Sequence, residues 1–318
     1  MKVYLLKRIL SLIPVLLVVS VVVFMIIHLT PGDPAAVILG PEASEADKES
    51  LREQLGLNLP LYQQYFSWMG GVVQGDLGTS IFMRKSVLSA IFDHLGPTLS
   101  LAILSQLAAI LLALPLGIMA ANRRGTLADQ TFMGISLLGL SVPNFLLGLF
   151  LAIIFAVNLG WLPVAGYQPL SAGLWNHLKF LILPAIALGT AQAALIARMT
   201  RASMLETLNA NYVKTARSKG LREQIVIYKH TLKNAFIPIL TVIGQTFGTL
   251  VAGAVVTETV FNIPGIGQLI INSVERRDYS VIQGTVLFIT VSYVFINLIV
   301  DLLYGFLDPR VRLENIDS

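Results

Sequence analysis

Residues 214–238, KTARSKGLREQIVIYKHTLKNAFIP, hold Lys214, Arg217, Lys219, Arg222, Lys229 and Lys233 in a chain of which only 13% is charged. A cation cluster of this kind binds nucleic acid, holds a loop on the cytoplasmic side of a membrane, or offers a surface to a partner. The dipeptide Gly-Lys does not occur, so the chain has no G-x-x-x-x-G-K-[ST] loop with which to cradle ATP. H-E-x-x-H and G-x-S-x-G are absent as well, and there is no cysteine. His28, His94, His177 and His230 are scattered, which argues against a metal site. No catalytic constellation and no cofactor site of the chain's own are expected.

The elements that carry these cations must lie in a membrane. A chain of 318 residues with 55% hydrophobic content and a mean hydropathy of +0.75 is too apolar to hide its side chains in one soluble core. Stretches long enough to span run over residues 9–29, 98–121, 131–157, 179–202, 236–259 and 282–307. The expected class is therefore all-α and polytopic, with six transmembrane helices. Lys2, Lys7 and Arg8 ahead of the first stretch resemble the start of a signal peptide, but the apolar run is too long, and the helix is expected to be retained. Pro14, Pro115, Pro143 and Pro184 sit inside spans, where kinks rather than breaks are expected. Pro238 is expected to help start the fifth span.

With a cytoplasmic N-terminus, Arg123, Arg124, the block 198–233, Arg310 and Arg312 fall inside. Lys48, Arg52, Arg84, Lys85, Lys179, Arg276 and Arg277 fall outside, which is the smaller share. The net charge of +4 thus reads as membrane topology, not as nucleic-acid binding. In the outer loop, SEADKESLREQLG predicts a short helix capped by Ser44 and ended by Gly56. Leu61, Tyr65, Trp68 and Val72 then recur at helical spacing, as a packed amphipathic cap or as a receiver for an extracellular partner.

Polar residues inside the spans are the candidates for a solute path. Thr241, Gln245 and Thr249 form a stripe on the fifth span, and Asn297 lies on the sixth, with Gln106, Asn144 and Gln192 as weaker candidates. Gly244, Gly248 and Ala252 follow the four-residue spacing of close helix packing, which competes with the pathway reading of the same helix. Asp301 near the inner end of the sixth span is a candidate ion-pair partner for Arg198 or Arg201. Glu258 is expected at an interface near the outer end of the fifth span.

Aligned on Gly220, the cationic segment resembles the E-A-A, three residues, G, nine residues, I-x-L-P loop of importer-type ABC permeases, matching at Ala216, Gly220 and Leu232. The departures look like the oligopeptide and dipeptide (peptide/nickel) importer branch, first-permease type, in NYVKTARSKGL and HTLKNAFIPILT. TPGDP at 30–34, QLGLNLPLYQQYFSW at 54–68, QGDLGTS at 74–80, SVPNF at 141–145, LGWLPVAGY at 159–167, FNIPGIGQL at 261–269 and LDPRVR at 307–312 look like the same branch.

The resemblance implies a type I ABC importer permease fold. Residues 1–30 would form the N-terminal segment and first helix, 31–97 an extracytoplasmic loop, 98–307 the permease core with a coupling loop at 203–235, and 308–318 a cytoplasmic tail. It also implies a second homologous permease subunit, two ATPase subunits that bind ATP and Mg, and an extracytoplasmic solute-binding protein. Ala216, Gly220, Leu221 and Leu232 would then shape the surface that docks an ATPase. The function implied is import of di- or oligopeptides across the cytoplasmic membrane of a bacterium or archaeon, with both termini cytoplasmic. Nickel chelates are an alternative cargo, and an ATP-independent transporter or channel an alternative class, although no inverted repeat with paired broken helices stands out.

Overall fold

A computed structural model describes residues 2–29, 33–40, 42–54 and 56–307. The expected C-terminal tail, with Arg310 and Arg312, and part of TPGDP lie outside the described residues. Helix α1 (Lys2–Leu29) carries Pro14 without interruption. The outer loop follows as α2 (Pro34–Leu39), α3 (Glu45–Gln54) and α4 (Leu61–Val73). Ser44 accepts from Asp47 N at 3.2 Å, and Gly56 turns the chain out of α3 at φ +67, as the sequence predicts. Arg52 of α3 bonds Asp33 at 2.6 Å and so ties the two short helices together. Helix α4 packs on α1, where Tyr65 OH lies 2.7 Å from Ser20 Oγ and Phe24 meets the rings of Tyr65 and Trp68. That arrangement is the packed cap.

The membrane core comprises α5 (Val87–Asn122), α6 (Leu127–Ser141), α7 (Asn144–Leu151), α8 (Leu174–Leu208), α11 (Leu232–Gly253) and α14 (Tyr279–Leu307). Between α8 and α11 lie α9 (Asn211–Ser218) and α10 (Glu223–Ile225), and between α11 and α14 lie α12 (Val255–Val260) and α13 (Ile266–Glu275). Among the described residues, five helices are long and apolar enough to span, and α6 with α7 and its π-helical extension Ala152–Asn158 makes a sixth if the bent pair is one span.

That third span corrects an expectation, because α6 and α7 meet at 101° and Pro143 marks a break rather than a kink. Val142 is extended at φ −87, ψ 123, the conformation a following proline favours, so helix cannot continue through it. Pro238, by contrast, lies within α11, which begins six residues before it.

Small residues set the helix spacing. A Cβ on Gly189 of α8 would sit 2.7 Å from the Ser105 carbonyl oxygen of α5, and one on Gly117 of α5 would sit 2.6 Å from Thr200 Cβ of α8. On the fifth span, Gly244 backs onto Val300 and Gly248 onto Tyr293 of α14, so the glycine stripe serves close packing.

Candidate functional site

Helices α8, α11 and α14 line an open cavity of about 860 Å³. Gln192 and Arg198 reach it from α8, Gln245, Thr246 and Thr249 from α11, and Tyr293, Asn297 and Asp301 from α14. Helical periodicity explains the convergence, because Gln245 and Thr249 stand one turn apart on one face, as do Asn297 and Asp301. Thr249 Oγ1 donates to Gln245 O at 3.0 Å and Asn297 Nδ2 to Tyr293 O at 3.0 Å, which satisfies donors within each helix. In hydrocarbon such a polar lining is stable only around water or solute, or against another polar surface.

Of the four residues expected to line a path, Gln245, Thr249 and Asn297 meet in this cavity. Thr241 does not. It lies one turn away in an apolar cavity of about 300 Å³ between α11 and α14, beside Gly244, Phe247 and Val300, and its hydroxyl bonds Ile237 O. Gln106 is committed elsewhere, to Thr246 at 3.2 Å across α5 and α11.

Arg201 is a correction. Its guanidinium is bidentate to Asp129 of α6, with Nε and Nη2 each 2.7 Å from a carboxylate oxygen, so Asp301 is not the carboxylate it engages. Asp129 escaped the sequence reading because it lies just before the stretch 131–157. Its signal was a carboxylate three residues after Thr126, whose hydroxyl caps α6 at Asp129 N. Arg198 and Asp301 do share the wall of the large cavity.

At the same end of the bundle, within the segment 203–235, α9 forms a short helix closed by Gly220 at φ +73. Gly220 and Leu221 are exposed, and a Cβ on Gly220 would meet nothing of this chain within 4 Å. Arg217 braces the turn through Glu223 at 2.6 Å. Ala216 faces the other way, buried against Val213, Val226 and Leu208, and Leu232 packs onto the cluster of Ile196, Met204 and Ile239. Two of the four residues assigned to a docking surface thus pack on the chain's own core. An alanine on the inner side of an amphipathic helical turn is drawn inward with the apolar face, so the resemblance alone did not place it on the surface.

Glu258 is also a correction, for it is fully buried rather than interfacial. Its carboxylate accepts from Thr98 Oγ1 at 2.6 Å and from the amides of Gly267 and Gln268 at 2.8 and 3.2 Å, at the start of α13. Side chains on Gly265 or Gly267 would overlap that carboxylate. The stretch FNIPGIG is glycine-rich because the buried acid needs bare backbone beside it.

Two family models together match nearly the whole chain: the binding-protein-dependent transport system inner membrane component over residues 113–313, and the N-terminal part of such membrane components over residues 1–102. The chain is 46% identical over 309 residues to the glutathione transport system permease protein GsiC of Shigella flexneri, covering 97% of this chain and 98% of that protein. It is 43% identical over 312 residues to a probable peptide ABC transporter permease, y4tP, of Sinorhizobium fredii, covering 98% and 100%. An inward-facing structure of the MetNI methionine ABC transporter shares the fold at TM-score 0.57 and 18% identity, covering 70% of this chain and 97% of that one. The chain therefore belongs to the inner-membrane components of binding-protein-dependent transport systems, as a multi-pass ABC importer permease of the peptide type.

Proposed function

We propose that this permease imports di- and oligopeptides, glutathione-like tripeptides among them, driven by two separate ATPase subunits that bind ATP and Mg. A second homologous permease faces it across the pathway, a solute-binding protein delivers cargo from outside, and both termini are cytoplasmic. The observation that carries the reading is the open cavity between α8, α11 and α14, in whose largely apolar wall Gln192, Gln245, Thr249 and Asn297 converge. Its lining runs from Ala191 to Ala202 along α8, a rise of about 16 Å at 1.5 Å per residue, or half the hydrocarbon thickness. It lies toward the end of the bundle that carries α9, and so forms a half-channel on the cytoplasmic side.

Within it, amide and hydroxyl groups replace the water that a peptide backbone sheds on leaving solution. Helix α9 continues directly from α8, which lines the cavity, and a push on the exposed Gly220 turn would be transmitted to that wall.

The test is uptake of labelled glutathione and of a dipeptide into proteoliposomes holding the complete importer, with ATP on the side of α9. Gln245→Leu and Asn297→Leu should each lower uptake about tenfold while leaving assembly intact. Uptake that proceeds without ATP, or that neither variant changes, refutes the reading.

A further inference from the structure

Two loops far apart in sequence meet at the end of the bundle opposite α9. Ser80 Oγ donates to Asp278 Oδ2 at 2.6 Å, joining the segment before α5 to the turn between α13 and α14. Phe82 and Met83 of the first loop and Arg276 and Asp278 of the second line one cavity of about 160 Å³. Arg84, whose amide bonds Ser80 O at 3.0 Å, and Arg276 and Arg277, which directly precede Asp278, flank the two ends of this junction, and all three are exposed. Three further observations single out these arginines.

The first is backbone strain. Arg84 at φ +51 and Arg277 at φ +56 hold a left-handed conformation that arginine rarely adopts, and among the described residues Asn262 alone joins them outside glycine. Strain of this kind persists where surrounding structure imposes it, commonly at functional sites.

The second is charge. Lys85 is neutralised by Asp93 at 2.6 Å, and Asp278 is buried beneath the loops, whereas Arg84, Arg276 and Arg277 make no ion pair among the described residues. Glu275 is the exposed acid among them. Unpaired cations on the outer side run against the charge bias of membrane loops, so topology does not account for them.

The third is height. The apolar stretch of the second span begins near Thr98, but α5 begins at Val87, about 16 Å further out along the helix axis. Headgroups extend only roughly 5–7 Å beyond the hydrocarbon on each side, so these loops stand clear of lipid, in water. In the same two loops, Ile81, Phe82 and Val274 are exposed at 41%, 46% and 52%, and Phe82 shares a cavity wall with Arg276. Apolar anchors with a charged rim are the composition of a protein interface.

We propose that Arg84, Arg276 and Arg277, together with Ile81, Phe82 and Val274, form a docking face for an acidic surface of the soluble solute-binding protein. The proposal rests on the importer reading given above, which requires such a protein to be received on this side. Long-range attraction would steer the encounter, and the apolar centre would hold the docked state.

The experiment measures docking of the importer's own solute-binding protein to the complete importer in lipid nanodiscs. The triple variant Arg84→Glu, Arg276→Glu, Arg277→Glu is compared with the wild type and with Arg123→Glu, Arg124→Glu at the other end of α5. A milder set, all three arginines to glutamine, guards against misfolding, and basal ATP hydrolysis reports assembly. The expected result is docking weakened about tenfold or more by the glutamates and less by the glutamines. Wild-type docking should also weaken steeply with added salt, and the glutamate variant should lose that dependence.

Unchanged docking in the glutamate variant, or wild-type docking insensitive to salt, overturns the proposal. A loss seen only in nanodiscs with anionic lipid assigns the arginines to lipid and overturns it equally. If the wild type docks nothing and imports nothing, the importer reading falls with it, a result distinct from the others.

Discussion

Thr98 and Glu258, 160 positions apart, share a hydrogen bond of 2.6 Å in the fully buried interior between α5 and the start of α13. Thr98 Oγ1 also accepts from Ile266 N at 2.8 Å, so one hydroxyl and one carboxylate together satisfy three amides at that helix start. Glu258→Ala leaves the amides of Gly267 and Gln268 and the Thr98 hydroxyl without their acceptor and should destabilise the chain by about 3 kcal/mol or more. Glu258→Gln keeps one acceptor oxygen and should lose less. Thermal unfolding of the detergent-solubilised importer reads the difference, and equal melting of the two variants would show that the bonds contribute nothing.

The Arg201 and Asp129 pair joins α8 to α6. Asp129 is buried at 6% side-chain exposure and Arg201 is partly covered at 28%, so removing either partner strands a poorly solvated charge. Asp129→Asn and Arg201→Gln should each cost about 2 kcal/mol, and the double variant should cost clearly less than both together. Additive losses in the cycle would mean that the two side chains act independently.

Asp33 in the outer loop is held below its ordinary value of 3.8, chiefly by its hydrogen bond to Arg52. A carboxyl lowered on folding adds stability above its unfolded pKa and loses it as pH falls through the folded value. Hydrogen-exchange protection of α3 should therefore be level from about pH 7 to 5 and decline below about 4. Asp33→Asn should lower protection at pH 7 and flatten the acid decline. A variant that keeps the same pH profile would assign the decline to other carboxylates.

Gly220 and Ala216, four residues apart, should respond in opposite ways. A Cβ at Gly220 meets nothing of its own chain within 4 Å, so Gly220→Leu pays chiefly for its left-handed φ, about 1–2 kcal/mol. It should leave membrane insertion intact while reducing ATPase co-purification or uncoupling uptake. Ala216→Leu would overfill the cluster of Val213 and Val226, at about 1–3 kcal/mol, and should loosen α9 itself. Normal ATPase retention and uptake in the glycine variant would remove this turn from the coupling surface.

The membrane class and the span positions were legible because hydropathy over about 20 residues is a one-dimensional signal. Turn and cap residues such as Ser44, Gly56 and Gly220 were legible for a like reason, since they act on backbone within a few positions of themselves. The family was legible from motifs such as FNIPGIGQL, though not the reason those glycines are needed, because Glu258 reaches them only through the fold.

Which side chains share a cavity, and which charges meet, depended on helix rotation and neighbours, and those only the packed bundle decides. Gln245 and Thr241 are one turn apart on the same helix, yet one lines the large open cavity and the other the apolar one. Arg201 found Asp129 because α6 bends away from α7 at Pro143 and lies against α8. By itself the sequence determined which segments enter the bilayer, because burial in lipid is a property of each segment's own composition. Tertiary structure decided the partners, because a buried polar group takes whichever donor or acceptor the packing of neighbouring helices brings within about 3 Å.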